Sequence, residues 1–201
     1  MSDSTNKSIL FDFLNSFKKF SSEEIEGLAD KMLVKGYAKN SIVVKQGEHC
    51  HLCFFVLKGC LRQYILNAEA EEKTIAFYTE GQSINYFTSR LNNQETESTL
   101  QCLEDSVLLV GDPERDEMMY VKYPQLIEIT RQMLEAEFGY TQDAFAKFIS
   151  ASPEERYLNL QKDRPDLLQR VPQYQLASFL GMTPESLSRI KRRVSRSGKH
   201  G

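Results

Sequence analysis

Residues 171–193 carry the feature that most restricts the fold of this chain: two short helical patterns separated by Gly181-Met182-Thr183. Gly181 allows a turn at little steric cost, while Thr183 caps a helix well and Pro184 suits its first position. The second pattern has one apolar edge and an opposite face with hydroxyls, a carboxylate and arginines. This predicts a helix-turn-helix that offers one face to base edges and phosphates, with an ordinary helical hairpin as the alternative.

The charge of the chain is unevenly divided. The whole chain has a net charge of −3, whereas residues 171–201 hold six Lys and Arg against one acidic residue. The rest is correspondingly acidic, with 19 Lys and Arg against 27 Asp and Glu. A basic end on an acidic body suits a polyanionic partner for that end only. A solvated basic tail would explain the charge but not its position on a capped helix.

Composition excludes several classes of protein. A length of 201 residues allows one or two domains, and 41% hydrophobic residues is ordinary for a globular chain. We expect no membrane segment, no secretory signal and no disulfide scaffold, and hence a cytoplasmic protein. We also expect no enzyme, because the sequence has no convincing nucleophile–base spacing and no phosphate-binding loop.

The predicted secondary structure changes from helical to β-rich along the first half of the chain. Residues 1–31 look helical, with Ser21 and Glu24 in capping-box spacing. From Leu33 to Gly111, short β-rich runs alternate with turns, which is typical of a β-sandwich or barrel.

A long helix is predicted over residues 124–150, because apolar positions recur at steps of three and four. Such a stripe must pack on the β-rich part of its own chain or on the same helix of a second subunit. Ser152-Pro153-Glu154-Glu155 then starts a new helix with a capping box. The predicted domains are therefore 1–123, 124–150 and 151–201. The candidate dimer residues on the stripe are Ile127, Thr130, Leu134, Phe138, Thr141 and Phe145.

This order of elements resembles the Crp/Fnr family of bacterial transcription regulators over nearly the whole chain. The C-terminal segments SPEERYLNL and LLQRVPQYQLASFLGMTPESLSRIKRR carry the resemblance most specifically and are similar to the Bacteroidetes-type members. The runs VVKQGE, FFVLKGCLRQY and FYTEGQSI resemble the strand–glycine pattern of the family's β-domain. The resemblance implies an α+β fold with an antiparallel, double-stranded, jelly-roll-like β-roll as sensor domain, a long dimerisation helix and a C-terminal (winged) helix-turn-helix domain.

The resemblance also implies partners and residue roles. A homodimer would place two recognition helices in successive major grooves about 34 Å apart on two-fold symmetric double-stranded DNA, and would act with RNA polymerase. Glu185, Ser186 and Arg189 occupy the base-reading positions, although Pro184 stands where better-known relatives have an arginine. A carboxylate can accept from cytosine N4, and a guanidinium can bind guanine O6 and N7. The candidate phosphate contacts are Gln173, Tyr174, Ser188, Arg192 and Arg193.

Cyclic-nucleotide relatives have a Gly-Glu pair and an Arg-Ser/Thr pair around the bound phosphate. Asn85-Tyr86 aligns with the first pair and Thr96-Glu97 lies near the second, so the cation is missing there, and Glu95 and Glu97 would repel a phosphate. Arg90 could supply a cation from elsewhere, although its position does not match the family's arginine. We therefore expect a degenerate site that holds another small-molecule effector or none. The candidate pocket residues, which are more simply core residues, are Tyr64, Phe77, Tyr78, Asn85, Tyr86, Phe87 and Thr96.

The four cysteines are Cys50, Cys53, Cys60 and Cys102. An oxygen-sensing branch of the family binds an iron–sulfur cluster through four cysteines, but these precede its β-roll. Here Cys53 and Cys60 fall within predicted strands, and Cys53 alternates with Phe55 and Leu57 as a buried cysteine does. We expect no metal or cluster. The overall prediction is a dimeric DNA-binding regulator; the alternative is a ligand-binding or protein-interaction module that has lost DNA binding.

Overall fold

The computed structural model describes residues 3–197. The ends of the predicted terminal domains, residues 1–2 and 198–201, lie outside this range, as does Lys199 of the basic end. The helices are α1 (Asp3–Ser16), α2 (Ser22–Ala29), α3 (Phe87–Asn92), α4 (Glu117–Lys122), α5 (Gln125–Ser150), α6 (Pro153–Asp163), α7 (Leu167–Arg170), α8 (Gln173–Phe179) and α9 (Pro184–Ser197). The strands are β1 (Leu33–Tyr37), β2 (Ile42–Val44), β3 (Cys53–Lys58), β4 (Leu61–Leu66), β5 (Glu72–Tyr78), β6 (Ser83–Asn85), β7 (Thr99–Cys102) and β8 (Ser106–Gly111).

The strands form two four-stranded sheets, in the orders β1-β8-β3-β6 and β2-β7-β4-β5. The pairings β1–β8, β3–β8, β3–β6 and β2–β7 are antiparallel. In the central pair, Phe54 lies opposite Val110, and the register shifts between Val56 and Lys58. The predicted fold class is confirmed as antiparallel sheets with a long helix and a C-terminal helical region. The described residues 139–197 contain no strand, so a wing is not among them.

Strand β3 separates two parts of the core because its side chains alternate between opposite faces of the sheet. Phe54 and Val56 point into the apolar core shared by the two sheets. Phe55 and Leu57 point the other way, and the ring of Phe55 lies 4.6 Å from that of Phe13 in α1. On that outer side, buried residues of α1, α2, α4 and the start of α5 form a second cluster. The half-buried Cys53 therefore lies on the helix-facing side of β3, as its alternation with Phe55 predicted.

The chain divides into two compact units, Met1–Gln63 with Phe77–Phe138, and Tyr64–Ala76 with Gly139–Gly201. Helix α5 begins in the first unit and ends in the second. In the first unit Gly59 turns β3 into β4 with a φ of +115°, and a Cβ there would lie 2.2 Å from the Ser106 hydroxyl. Only glycine fits this turn. In the second unit the Ser178 hydroxyl accepts from the Thr74 amide at 3.0 Å and donates to the Glu72 carbonyl at 3.3 Å, which joins helix α8 to strand β5.

Candidate nucleic-acid interface

Helices α8 and α9 pack through their apolar edges. Leu176, Ala177 and Leu180 from the first helix and Leu187 and Ile190 from the second are all buried, with Ala177 fully so. A larger side chain at position 177 would hold the helices apart, since protein cores are close-packed. The apolar edge predicted from the sequence therefore forms the contact within the helix-turn-helix.

The turn between the two helices is a Schellman motif, in which two amides bond back to carbonyls of the preceding helix. The Met182 amide donates to the Ala177 carbonyl at 3.0 Å, and the Gly181 amide donates to the Ser178 carbonyl at 3.1 Å. Gly181 has a φ of +68°, which explains the glycine at this position. The turn fixes the direction in which helix α9 leaves.

Helix α9 begins as the sequence predicted. The Thr183 hydroxyl accepts from the Ser186 amide at 3.2 Å, and Pro184 follows the cap as the first helical residue. The pKa of the Glu185 carboxyl is lowered, first by its own backbone amide, then by the Thr183 hydroxyl and by nearby Arg189. Glu185 is therefore a carboxylate at neutral pH and can act only as a hydrogen-bond acceptor.

The polar side of α9 forms a shallow depression of about 380 Å³. It is lined by Pro184, Glu185, Ser188, Arg189 and Arg192, and Ser186 borders Arg189. Arg189 donates to the Ser186 hydroxyl at 3.4 Å, and Arg192 donates to the Ser188 hydroxyl at 3.5 Å. These long bonds orient the guanidinium groups while leaving most of their five N–H donors for another partner. The three predicted base-reading residues are thus brought together on one face.

The predicted phosphate contacts differ in their surroundings. Gln173 and Tyr174 lie exposed in the first turn of α8, and the Tyr174 hydroxyl accepts from Gln175 at 3.1 Å. Arg193 is different because its guanidinium is ion-paired with Glu154 of α6. Ser188 is half-buried and engaged by Arg192. Glu154 precedes Arg193 by 39 residues, and no local pattern in the sequence indicates this pair.

The stripe predicted on α5 lies on its outer face. Phe138 and Phe145 are each 66% exposed and Ile127 is 55% exposed, whereas Leu126 and Ile129 on another face are buried. Thr141 is also exposed, and Thr130 and Leu134 are half-buried. A groove of about 410 Å³ runs along the first part of this stripe, lined by Tyr120, Ile127, Thr130, Arg131, Leu134 and Glu135. The start of α5 therefore packs on the first unit through the face of Leu126 and Ile129, whereas the residues of the predicted stripe are exposed or half-buried.

Two of the candidate effector residues lie at a polar cluster in the first unit, because Tyr78 is hydrogen-bonded within it and Tyr86 lies beside it. The Tyr78 hydroxyl donates to Gln63 at 2.8 Å, and the Gln63 amide donates to the Ser98 hydroxyl at 2.7 Å. Burial raises the pKa of Tyr78 to about 12, and the nearby Glu137 carboxylate adds to this. Arg62 is also buried, but strand alternation places it on the other face of β4 from Gln63. The hydrogen-bonded groups of this cluster are neutral.

Tyr86 borders the same cluster. Its hydroxyl has no hydrogen bond in the described part of the chain. Burial raises its pKa strongly, and Ser98 lies near enough to oppose the shift slightly. Thr96 is buried, whereas Glu95 and Glu97 beside it are exposed.

The other pocket candidates are scattered. Tyr64 and Phe77 are buried, and Asn85 donates to Ser83 at 3.4 Å. Phe87 is 44% exposed and lies 5.7 Å from the guanidinium of Arg90. Arg90 thus contacts an aromatic ring on the short helix α3, which the sequence did not predict.

Within the described residues, the four cysteines are thiols that form no disulfide. Cys50, Cys60 and Cys102 are buried and Cys53 is half-buried, and Cys60 lies just before β4 rather than inside it. Burial raises the pKa of the Cys102 thiol to about 11. Within residues 3–197, no group of three or more His, Cys, Asp or Glu side chains is placed to hold a metal ion. No described helix is both long and apolar enough to cross a membrane.

Residues 34–118 match the family model of the cyclic nucleotide-binding domain. A mutant of CooA from Carboxydothermus hydrogenoformans is 18% identical over 94% of this chain and 85% of its own, with a TM-score of 0.66. FixK2 from Bradyrhizobium japonicum is 15% identical over 83% of this chain and 86% of its own, with a TM-score of 0.64. CLP of Xanthomonas campestris, described as a c-di-GMP-responsive global regulator, is 14% identical over 89% of this chain and 93% of its own, with a TM-score of 0.70. No curated protein matches the chain in sequence.

These likenesses and the element order agree on one architecture, in which a β-roll of the cyclic nucleotide-binding type is followed by a long helix and a helix-turn-helix. The predicted resemblance to the Crp/Fnr regulators is confirmed as a likeness of fold.

Proposed function

We propose that this protein is a dimeric, sequence-specific DNA-binding transcription regulator of the Crp/Fnr type. The observation that carries the proposal is the polar face of α9, where Glu185, Ser186 and Arg189 stand together on a capped helix held by a Schellman turn. A second helix of this kind enters the major groove with its N-terminal residues against base edges. Glu185 and Arg189 read bases in this proposal, since a carboxylate and a guanidinium distinguish cytosine from guanine edges.

Phosphate contacts then come from the edges of the same surface. Gln173 and Tyr174 at the start of α8 and Arg192 on α9 are exposed and suited to this role. Ser188 holds Arg192 in place. Arg193 contributes only if its ion pair with Glu154 opens, so its proposed role is the weaker one.

The outer face of α5 supplies the dimer in this proposal. An exposed stripe of aromatic and aliphatic residues along 26 residues of helix is a surface that a second copy can cover by the same stripe. Two recognition helices then bind successive major grooves of a two-fold symmetric site. The predicted domains 1–123, 124–150 and 151–201 would serve as sensor, dimer helix and DNA reader in a cytoplasmic, non-enzymatic regulator that acts with RNA polymerase.

The β-roll in this proposal holds an effector other than a cyclic nucleotide, or none. Tyr78, Gln63 and Ser98 offer neutral hydroxyl and amide groups, and Tyr86 is buried beside them. Glu95 and Glu97 place negative charge on the segment where relatives bind a phosphate. These two carboxylates would repel a cyclic phosphate, which relatives bind at this segment with a cationic side chain.

The DNA-binding part is tested with a generic 30-base-pair duplex in fluorescence anisotropy across a salt series. Each phosphate contact contributes a slope of about −0.9 in log K against log salt. We expect Arg192→Ala to reduce the slope by about one unit on any sequence. Arg115→Ala is the matched control, because Arg115 is exposed in the first unit. If the duplex affinity of the wild type did not change with salt, or if the wild type bound no duplex, the alternative of a module that has lost DNA binding would be favoured.

A further inference from the structure

Arg156, in the first turns of α6, contacts two other helices of the second unit. Its Nε donates to the Phe148 carbonyl at 3.0 Å, and its Nη1 donates to the Leu180 carbonyl at 3.2 Å. Its guanidinium carbon also lies 3.9 Å from the centroid of the Phe148 ring. One half-buried side chain therefore contacts the end of α5 and the end of α8 at once.

Both accepted carbonyls belong to helix ends, where the last four C=O groups have no partner within the helix. Phe148 lies in the last turn of α5, and Leu180 is the C-cap of α8. A cation is favoured at each of these negative helix ends. Arginine suits the task because its planar group can donate from different nitrogens while its face stacks on an aromatic ring. Lysine has no planar group to do both.

The contact also includes the turn that aims the recognition helix. A Cβ on Gly181 would lie 3.1 Å from Nη1 of Arg156 and 3.3 Å from Cζ of Phe148. Gly181 is thus required by its positive φ and by the closeness of the guanidinium and the ring. Gly181, at the start of the turn, therefore packs closely against Arg156 and against Phe148 in the last turn of α5.

We propose that Arg156 is a positioning residue for DNA recognition: it fixes the turn before α9 to the end of α5, and so sets the separation of the two recognition helices. The inference rests on the proposed dimeric reader, because only in a dimer does the end of α5 define that separation. An ion pair, Lys147–Asp163 at 3.1 Å, also joins α5 to α6, but it is exposed, and exposed pairs contribute little. Arg156 itself need not touch DNA.

The test measures affinity for a two-fold symmetric site selected with the wild-type protein, for the same site with one base pair inserted between its halves, and for a single half-site. Inserting one base pair moves and rotates one half-site, so we expect the wild type to lose at least about 30-fold in affinity. Arg156→Ala should bind the original site about 10-fold more weakly but lose less than about 3-fold on insertion, with half-site binding nearly unchanged. Arg156→Lys keeps the charge and should restore little of the spacing preference. Lys162→Ala, which removes an exposed charge from the same helix, should behave as wild type.

The proposal would be overturned if Arg156→Ala lost as much affinity as the wild type when one base pair is inserted. It would also be overturned if Arg156→Ala lost affinity equally on all three duplexes, because Arg156 would then be a DNA contact. Amide hydrogen exchange gives a readout that needs no DNA. Arg156→Ala and Arg156→Lys should each speed exchange of the Met182 amide, which bonds the Ala177 carbonyl, by about 10-fold. Unchanged exchange in folded Arg156→Lys would overturn the inference, whereas wild-type protein that binds no duplex at all would overturn the proposed function instead.

Discussion

Removing the Phe138 ring tests the dimer surface most simply. Phe138 lies on the apolar stripe of α5 and is 66% exposed in the single chain. Fully burying a large apolar side chain contributes about 1.5–3 kcal/mol. Burying the exposed two thirds of this ring in a dimer would therefore contribute about 1–2 kcal/mol per copy, and about 2–4 kcal/mol for the two copies related by symmetry.

This energy converts to a measurable change in association. Because each 1.4 kcal/mol is tenfold, Phe138→Ala should raise the dimer dissociation constant by about 30- to 700-fold. Alanine has the better helix propensity and Phe138 is exposed, so the fold of the single chain should persist. Sedimentation equilibrium over a dilution series measures the constant directly.

Gln132→Ala is the matched control. Gln132 is exposed on the same helix, about a third of a turn round from Phe138, and its one described bond is to Glu128 at 2.8 Å. It should leave the dissociation constant within about 3-fold of wild type, since exposed polar pairs contribute little. If Phe138→Ala dimerised as tightly as wild type, the stripe would pack elsewhere and the reasoning from exposure would be refuted.

Substitutions at three further residues test the second unit of the chain. Arg189→Ala should cost about 1–3 kcal/mol on the preferred site and relax specificity at one base pair, whereas an equal loss on all sequences would make it a phosphate contact. Gly181→Ala should lower the free energy of unfolding, measured by urea titration, by at least about 1–2 kcal/mol because Gly181 has a positive φ. Gly139→Ala is the control and should raise the free energy of unfolding by up to about 1 kcal/mol, since a Cβ there would meet open space. Equal effects of the two substitutions would contradict the left-handed turn at Gly181. Hydrogen bonds from the Ser152 backbone and hydroxyl lower the folded-state pKa of Glu155, so its stabilisation is present above the unfolded pKa and is lost as pH falls through the folded one. The advantage of wild type over Glu155→Gln in urea midpoint should hold from pH 6 to 8 and shrink below about pH 4.3, and an advantage that grew in acid would exclude the bond.

Local patterns predicted the elements that depend on neighbouring residues. The capping boxes at Ser21 and Ser152 form as the spacing indicated, because a capping box joins residues three positions apart. From the apolar stripe we predicted a helix that starts at residue 124, one residue before the observed start of α5. The turn at Gly181 was predictable because few residues other than glycine accept its φ.

The contacts that fix one helix against another were not predictable in this way. The Glu154–Arg193 and Arg156–Leu180 contacts join residues 39 and 24 positions apart. The three charged residues look like ordinary surface residues in the sequence, and the Leu180 acceptor is a backbone carbonyl that its side chain does not reveal. The short helix α3 has six residues and no side-chain hydrogen bond at its N-cap, Tyr86, so its sequence pattern is too short to predict it. Tyr86 is buried whereas the adjacent Phe87 is exposed. This difference depends on packing against the sheet, so two neighbouring aromatic residues in the sequence do not predict it.

Selection of bound duplexes from a random pool, at a fixed salt concentration, tests whether the protein reads two-fold symmetric DNA through α9. We expect enrichment of a two-fold symmetric sequence whose half-site centres lie about one helical turn apart, and loss of one specified base pair in each half when Arg189→Ala is selected in parallel. Enrichment of an asymmetric or single half-site would contradict the two-fold reader. A pool that stays random with folded protein would contradict DNA recognition by α9 altogether.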